Sequence, residues 1–369
     1  MARLRGAVAG REQDRRGWLR GAPPPPWVRV LPVLLIAGVC AASLVTPEAQ
    51  DIGFLLGAIP PLAVMSYGPI ATAVLGGAAL AVLNIPVFHL NRPGNTDLLT
   101  LSFVAALSIF VSFVRSRRDA QLDLERTVAE AAQRAVVPPV PERVGPVRCT
   151  GLYRAAERGT LVGGDFFDVR SGPYGVRAVL GDVQGHGLSA VATVASVLGA
   201  FREAVLDEPD VESVAARLDR RLVVDSARTE HAELFATAVL LEFGADTRAV
   251  RVVSCGHPAP LLLRGGTVTE VPVKPWTPLG LGLADTLPQA GAAVPLLPGD
   301  RLLLASDGVL EARDEAGEFY PLEERLAGFA EAGPDTLPGL VWADLVRFCP
   351  EIRDDVTMLA LAPMPPDAR

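Results

Sequence analysis

The sequence predicts an α+β protein in which a four-helix transmembrane region precedes a domain of antiparallel sheets covered by helices. Three observations lead there. No Asp, Glu, Lys or Arg occurs between Asp51 and His89, and two more charge-free stretches lie at 30–47 and 98–114. Beyond residue 147, short strand-patterned runs are bounded by turn residues. Those runs arrive in adjacent groups and the helical patterns in pairs, which favours antiparallel sheets over the strict alternation of a doubly wound parallel sheet.

The 369-residue chain is half hydrophobic, with a formal charge of −8, four cysteines and four histidines. That composition excludes a disordered chain and a disulfide scaffold. A bilayer core takes roughly 20 apolar residues per helix. The stretch 52–88 therefore reads as two spans folded at Ser66-Tyr67-Gly68-Pro69, with one further span on each side. The first span follows Arg3, Arg5, Arg11, Arg15, Arg16 and Arg20, as a signal peptide would, but three more spans come directly after it, so it reads as a retained anchor.

Basic residues collect before the first span and again after the last, at Arg115, Arg117 and Arg118. This places both ends in the cytoplasm of a multi-pass membrane protein. The outer loops then hold Glu48 and Asp51, and Arg92 and Asp97. The expected divisions are a basic N-terminus at 1–27, spans at 28–114, a linker helix and Pro-rich connector at 115–146, a catalytic domain at 147–362 and a tail at 363–369.

Cys40 falls in a span, and Cys149, Cys255 and Cys349 lack CxxC spacing, so neither a disulfide nor a thiolate zinc site is expected. Lys274 is the sole lysine. The acidic balance and the lack of a basic run in the soluble half argue against a nucleic-acid partner.

Residues 115–134 are strong helix formers continuing out of the membrane. Leu124, Val128, Ala131 and Ala132 recur at helical spacing. Two readings stay open: a signalling helix that pairs with a second copy in a homodimer, and a plain spacer. Val137-Pro138-Pro139-Val140-Pro141 ends the helix, because prolines remove donors and force extended backbone. Strands are expected at 147–156, 166–169, 176–183, 234–243, 250–254, 301–306 and 356–361, and helices at 188–206, 211–227 and 336–348.

The most informative segment is Gly163-Gly164-Asp165-Phe166-Phe167-Asp168, followed by a Gly172-Pro173-Tyr174-Gly175 turn and a strand ending Gly181-Asp182-Val183. With Pro173 and Tyr174 at the centre of the turn, Asp165 lies opposite Asp182 across a hairpin. Opposed like charges destabilise a sheet, and neighbouring carboxylates force one to take up a proton. A divalent cation with oxygen ligands removes the conflict. A one-residue slip, putting either Asp in solvent, is the competing reading. Asp307-Gly308 ends the buried strand pattern at 301–306 and reads either as a site carboxylate or as an ordinary turn. Asp354-Asp355, before the last strand, reads as ligands or as solvated loop. Four acidic points with little histidine suggest Mg²⁺ or Mn²⁺ rather than zinc. Two such ions activate a water and clamp a phosphoryl group, which points to phosphate-ester hydrolysis.

Gly163-Gly164-Asp165-Phe166-Phe167-Asp168, Gly181-Asp182-Val183-Gln184-Gly185-His186-Gly187, Ser254-Cys255-Gly256-His257-Pro258, Ser306-Asp307-Gly308 and Asp354-Asp355-Val356-Thr357 occur in this order. Together they resemble the metal-dependent protein phosphatases of the 2C type, in the bacterial branch typified by stage II sporulation phosphatase E and the sigma-factor regulatory phosphatases. The resemblance implies an α-β-β-α sandwich with two Mn²⁺ or Mg²⁺ ions between the sheets at one end. It implies that Asp182 bridges both ions, that the Val183 carbonyl binds one, and that Asp307 and Asp354 hold the other. Asp165 would bind directly or through water, Asp355 rivals Asp354, and Thr357 would buttress that loop. The best-known members of the wider family have a histidine two positions after the bridging Asp; here that residue is Gln184. His186 is accordingly not assigned as general acid, and His257 is read as shaping the fold.

The reading is a membrane-tethered serine/threonine phosphatase whose substrate, by resemblance, is a phosphorylated anti-sigma antagonist. The alternative is a catalytically idle phosphatase-like module that binds a phosphoprotein. A transporter is disfavoured, because no ionisable residue lies within the spans except near their ends.

Overall fold

The computed structural model describes residues 26–45, 52–86, 97–137, 139–155, 163–227, 234–244, 246–284 and 290–364. The basic residues ahead of the first span lie outside this set, as do Glu48, Asp51 and Arg92 of the expected outer loops and most of the tail. The chain divides into two compact units, Met1–Leu124 and Glu125–Arg369.

The N-terminal unit contains α1 (Pro26–Val45), a 3₁₀ turn (Gly53–Ala58) leading into α2 (Ile59–Val64), α3 (Pro69–Asn84) and the first part of α4 (Asp97–Val136). Trp27–Val45 and Leu98–Glu125 are long and apolar enough to cross a membrane, whereas Gly53–Val64 and Pro69–Asn84 are shorter. Four apolar helical segments thus stand where four spans are expected, and proline sets the length of the middle two. Pro69 cannot continue α2 and instead starts α3, while Pro86 holds Ile85 extended and ends it.

The packing of this unit is inside-out. Val39, Leu56, Ile59, Ala79, Leu83 and Leu101 form a small closed cluster. Ile70, Val74, Leu99, Phe103 and Phe110, by contrast, are each more than 60% exposed. Large apolar side chains turned outward are what a lipid surround favours.

The C-terminal unit is an α-β-β-α sandwich. One sheet has the order β1-β2-β11-β10-β7-β8, with β1 (Arg143–Val144), β2 (Val147–Arg154), β7 (Leu261–Arg264), β8 (Thr267–Glu270), β10 (Arg301–Ala305) and β11 (Val356–Pro363). The other is β3-β4-β5-β6-β9, with β3 (Asp165–Gly172), β4 (Gly175–Val183), β5 (Ala236–Phe243), β6 (Ala249–Cys255) and β9 (Ala292–Pro295). Every pairing between these strands is antiparallel. The seven expected strands are all present. The sheet opens slightly earlier, at Arg143, and β7, β8 and β9 are additions.

Alternation along each strand sorts its side chains into layers. Phe167, Val169, Ala178 and Leu180 meet Cys149, Leu302, Leu304, Leu359 and Leu361 between the sheets. On the outer face of the five-stranded sheet lie α5 (Leu188–Asp207) and α6 (Val211–Ser226), which bury Val194, Leu198, Phe201, Val214 and Leu218. Apolar as α5 is, its buried face belongs to this core. The six-stranded sheet is covered by α7 (Asp307–Leu310), α8 (Leu322–Ala327) and α9 (Leu337–Phe348).

Candidate active site

Strand ends gather the carboxylates. β3 begins at Asp165 and β4 ends at Val183, and their register sets Asp165 opposite Asp182, as the turn at Pro173 and Tyr174 requires. Both share the strand face of Phe167 and Leu180, so they stand at the edge of the inter-sheet space. In the other sheet β10 and β11 are neighbours, with Ala305 beside Met358. Asp307 follows the end of β10 and Asp354 precedes the start of β11, so both leave that sheet at the same end. Asp307 opens the one-turn helix α7 rather than a simple turn.

The cluster is electrostatically strained. Burial first, then the charges of Asp182, Asp355 and Asp307, hold the Asp165 carboxyl well above its ordinary range, opposed by a hydrogen bond from Thr357. That bond, from Thr357 Oγ1 to Asp165 Oδ2, is 2.5 Å long. Asp182 is pushed up to about 7, mostly by burial and then by Asp307, Asp354 and Asp355. Burial and Asp354 raise Asp307 as well. Among the described residues, no arginine or lysine forms an ion pair with Asp165, Asp182, Asp307 or Asp354.

This donor set fits a hard divalent cation. It is all oxygen, its charges lack a protein counter-charge, and a backbone carbonyl stands beside it. A Cβ at Gly164 would overlap the Val183 carbonyl oxygen and lie 2.7 Å from Asp182 Oδ1, so glycine is what allows these groups to crowd together. Among the described residues no three His, Cys, Asp or Glu side chains converge closely enough to cage one ion.

Asp354 and Asp355 are differently employed. Asp355 is buried, and its Oδ2 accepts from the Tyr153 hydroxyl at 2.5 Å and from the Gly163 amide at 3.1 Å. Its carbonyl accepts from Ser306 Oγ at 3.2 Å. Asp354 is exposed, and its Oδ1 accepts from the Asp355 amide at 2.8 Å. The neighbouring Thr357 ties the sheets together through Asp165, while its amide donates to Ser306 Oγ at 3.0 Å.

Asp168 of the first motif faces the helices instead, accepting from Arg202 at 2.7 Å and Arg170 at 2.9 Å. Gln184 and His186 are exposed. His257 is buried against Thr237 Oγ1 at 3.1 Å, and burial pushes its pKa down to about 4, so it stays neutral in the fold. Tyr153, Ser306 and Gln133 are the participants that sequence reasoning misses. Ser306 sits inside a recognised motif, but a lone tyrosine in a strand and a glutamine in a polar helix carry no distinguishing signal.

The site now has relatives to be set beside. A match to the family described as Stage II sporulation protein E (SpoIIE) covers residues 172–363, just over half of the chain. Phosphoserine phosphatase RsbP of Bacillus subtilis is 26% identical over 167 residues, which is 45% of this chain and 40% of RsbP. The chain therefore matches well under half of that relative's length. Among solved structures, the RsbU and RsbW domains of Rv1364c from Mycobacterium tuberculosis align with a TM-score of 0.51 and 26% identity, over 62% of this chain and 63% of that one. The SiaA-PP2C domain of Pseudomonas aeruginosa aligns with a TM-score of 0.53 and 21% identity, over 66% of this chain and 97% of that one, so the sandwich has the PP2C fold. With its motifs in order along that sandwich, the chain belongs to the stage II sporulation protein E (SpoIIE) family.

Proposed function

We propose that the chain is a membrane-tethered, metal-dependent protein phosphatase that hydrolyses phosphoserine and phosphothreonine. The observation that carries this reading is the facing pair Asp165 and Asp182, with Asp307 and Asp354 leaving the opposite sheet at the same end. Asp182, Asp307, Asp354, Asp165 and the Val183 carbonyl would hold two Mn²⁺ or Mg²⁺ ions. Ions there would supply Lewis acidity, lowering the pKa of a water and neutralising phosphoryl charge.

The chain's own residues prepare that site. Thr357 orients the Asp165 carboxylate. Burial keeps Asp165 and Val183 from solvent, while Asp307 and Asp354 stay open to an incoming phosphate ester. Asp355 and Ser306 join the loops that carry them. RsbP, named a phosphoserine phosphatase, supports a phosphoserine substrate. A phosphorylated anti-sigma antagonist, released from its modification to free a sigma factor, suits this branch.

The tethering is supported by the apolar outer surface of the N-terminal unit, and a cytoplasmic catalytic domain by Arg115, Arg117 and Arg118 after the last span. Leu124 and Val128, 64% and 46% exposed, leave an apolar stripe for a second copy.

The test is hydrolysis of an aryl phosphate and a phosphoserine protein by the full chain with Mn²⁺. Asp182→Asn and Asp307→Asn should each lower kcat by about a hundredfold or more. Wild-type inactivity, or activity indifferent to both substitutions, would leave the idle phosphatase-like module as the reading.

A further inference from the structure

A polar chain runs from α4 into the carboxylate cluster. Gln133 is only 5% exposed, and its carboxamide lies 3.0 Å from the Tyr153 hydroxyl. That hydroxyl is 2.5 Å from Asp355 Oδ2, which also takes the Gly163 amide at 3.1 Å. Tyrosine has one phenolic proton, and the shorter of its two contacts is the one to Asp355. The proton therefore goes to Asp355, and the Gln133 amide nitrogen faces the phenolic oxygen as donor; the two ends of a carboxamide differ too little in shape to decide otherwise.

The end of α4 is held in place independently. Arg202 Nη2 donates to the Val136 carbonyl at 3.2 Å, and Ala132 and Val136 pack on Val191 of α5. Asp355 stands at a junction: with its chain neighbour Asp354 it leads into β11 of one sheet, and its partner Gly163 leads into Asp165 of the other.

Resting on the metal-dependent reading above, we propose that Tyr153 is a positioning residue for the divalent-cation site, itself held by Gln133. The docked end of α4 is then part of the scaffold that sets Asp354 against Asp165. Without the phenolic hydroxyl, Asp355 loses a hydroxyl donor at Oδ2, and the loop carrying Asp354 loses a tie to β2.

The experiment uses the full chain in detergent micelles. Mn²⁺ binding is followed by electron paramagnetic resonance of the free ion, and aryl phosphate turnover is measured as a function of Mn²⁺. Tyr153→Phe should raise the half-saturating Mn²⁺ concentration about tenfold, the scale of a lost outer-shell partner, with kcat recovering at saturating Mn²⁺. Gln133→Leu should shift it the same way by less. The double variant should match Tyr153→Phe alone, because both substitutions break one chain.

Unchanged Mn²⁺ binding in Tyr153→Phe, or additive effects in the double variant, overturns the proposal. So does a loss of metal-free thermal stability without any change in half-saturation, the mark of a purely structural role. Should Tyr153→Phe not fold, Gln133→Leu decides alone, and Mn²⁺ binding equal to wild type then overturns the idea. A wild-type chain that binds no Mn²⁺ would instead sink the metal-dependent function itself.

Discussion

Thr357 Oγ1 donates to Asp165 Oδ2 at 2.5 Å, joining β11 of the six-stranded sheet to β3 of the five-stranded one. Both residues are buried, so Thr357→Val leaves an aspartate with one donor fewer and no water to replace it. The expected cost is about 1–3 kcal/mol. Urea unfolding of wild type, Thr357→Val and Thr357→Ser checks it: the serine variant should keep most of the stability, and a harmless valine would contradict the role.

Gly164→Ala should be more damaging than any surface substitution. The added Cβ would overlap the Val183 carbonyl oxygen and lie 2.7 Å from Asp182 Oδ1. Both belong to a paired strand end that cannot retreat cheaply, so a loss of at least about 3 kcal/mol is expected. Gly299→Ala serves as the contrast: no neighbour obstructs its Cβ, and only its positive φ is strained. A thermal melt in which the two variants behave alike would refute the crowding.

Stability of the metal-free protein should fall between pH 6.5 and 8. Asp182 has a folded pKa of about 7, against roughly 3.9 in an unfolded chain. The folded state thus binds its proton more tightly, and that stability is lost as pH rises through 7. His257 works in the opposite direction, its folded value of about 4 costing stability only as pH falls below the unfolded value. Above roughly 6.5 the carboxylates are therefore left alone. A change on the order of 1 kcal/mol is expected with EDTA, reduced in Asp182→Asn and reversed by Mn²⁺. A flat wild-type profile with EDTA would count against the buried, unpaired cluster.

Membrane residence should divide with the chain. The full chain is expected to resist alkaline extraction from membranes, whereas a chain beginning at Glu125 should be soluble despite the apolar helix Leu188–Asp207. Leu198 and Phe201 on its apolar face are buried in the core beside Val214, Leu218 and Val179. Recovery of the shortened chain in the membrane fraction would show that α5 has been misread.

Local signals account for most of what the sequence revealed. The Asp165–Asp182 register follows from counting outward from one turn, and the α5–α6 pair follows from helical periodicity. The hairpin of β7 and β8 is marked in the sequence only by the Gly265-Gly266 turn between two short strands. β9 has only Ala-Ala-Val-Pro to announce it. Tyr153 and Asp355 are 202 positions apart, and no pattern of neighbours encodes a contact of that range. The difference between Asp354 and Asp355 rests on that contact, so two adjacent identical residues become distinguishable only in three dimensions.

The hairpin turns at Pro173-Tyr174 and Gly265-Gly266 lie at the end of the sandwich away from Asp165, Asp307 and Asp354, since β3, β4, β7 and β10 run between the two ends. The domain accordingly has a rim where one extra residue would misalign the chemistry and an opposite rim where insertions meet only solvent. A fluorescent label or an affinity tag placed in either of those turns gives a handle on the protein that leaves the carboxylate end untouched.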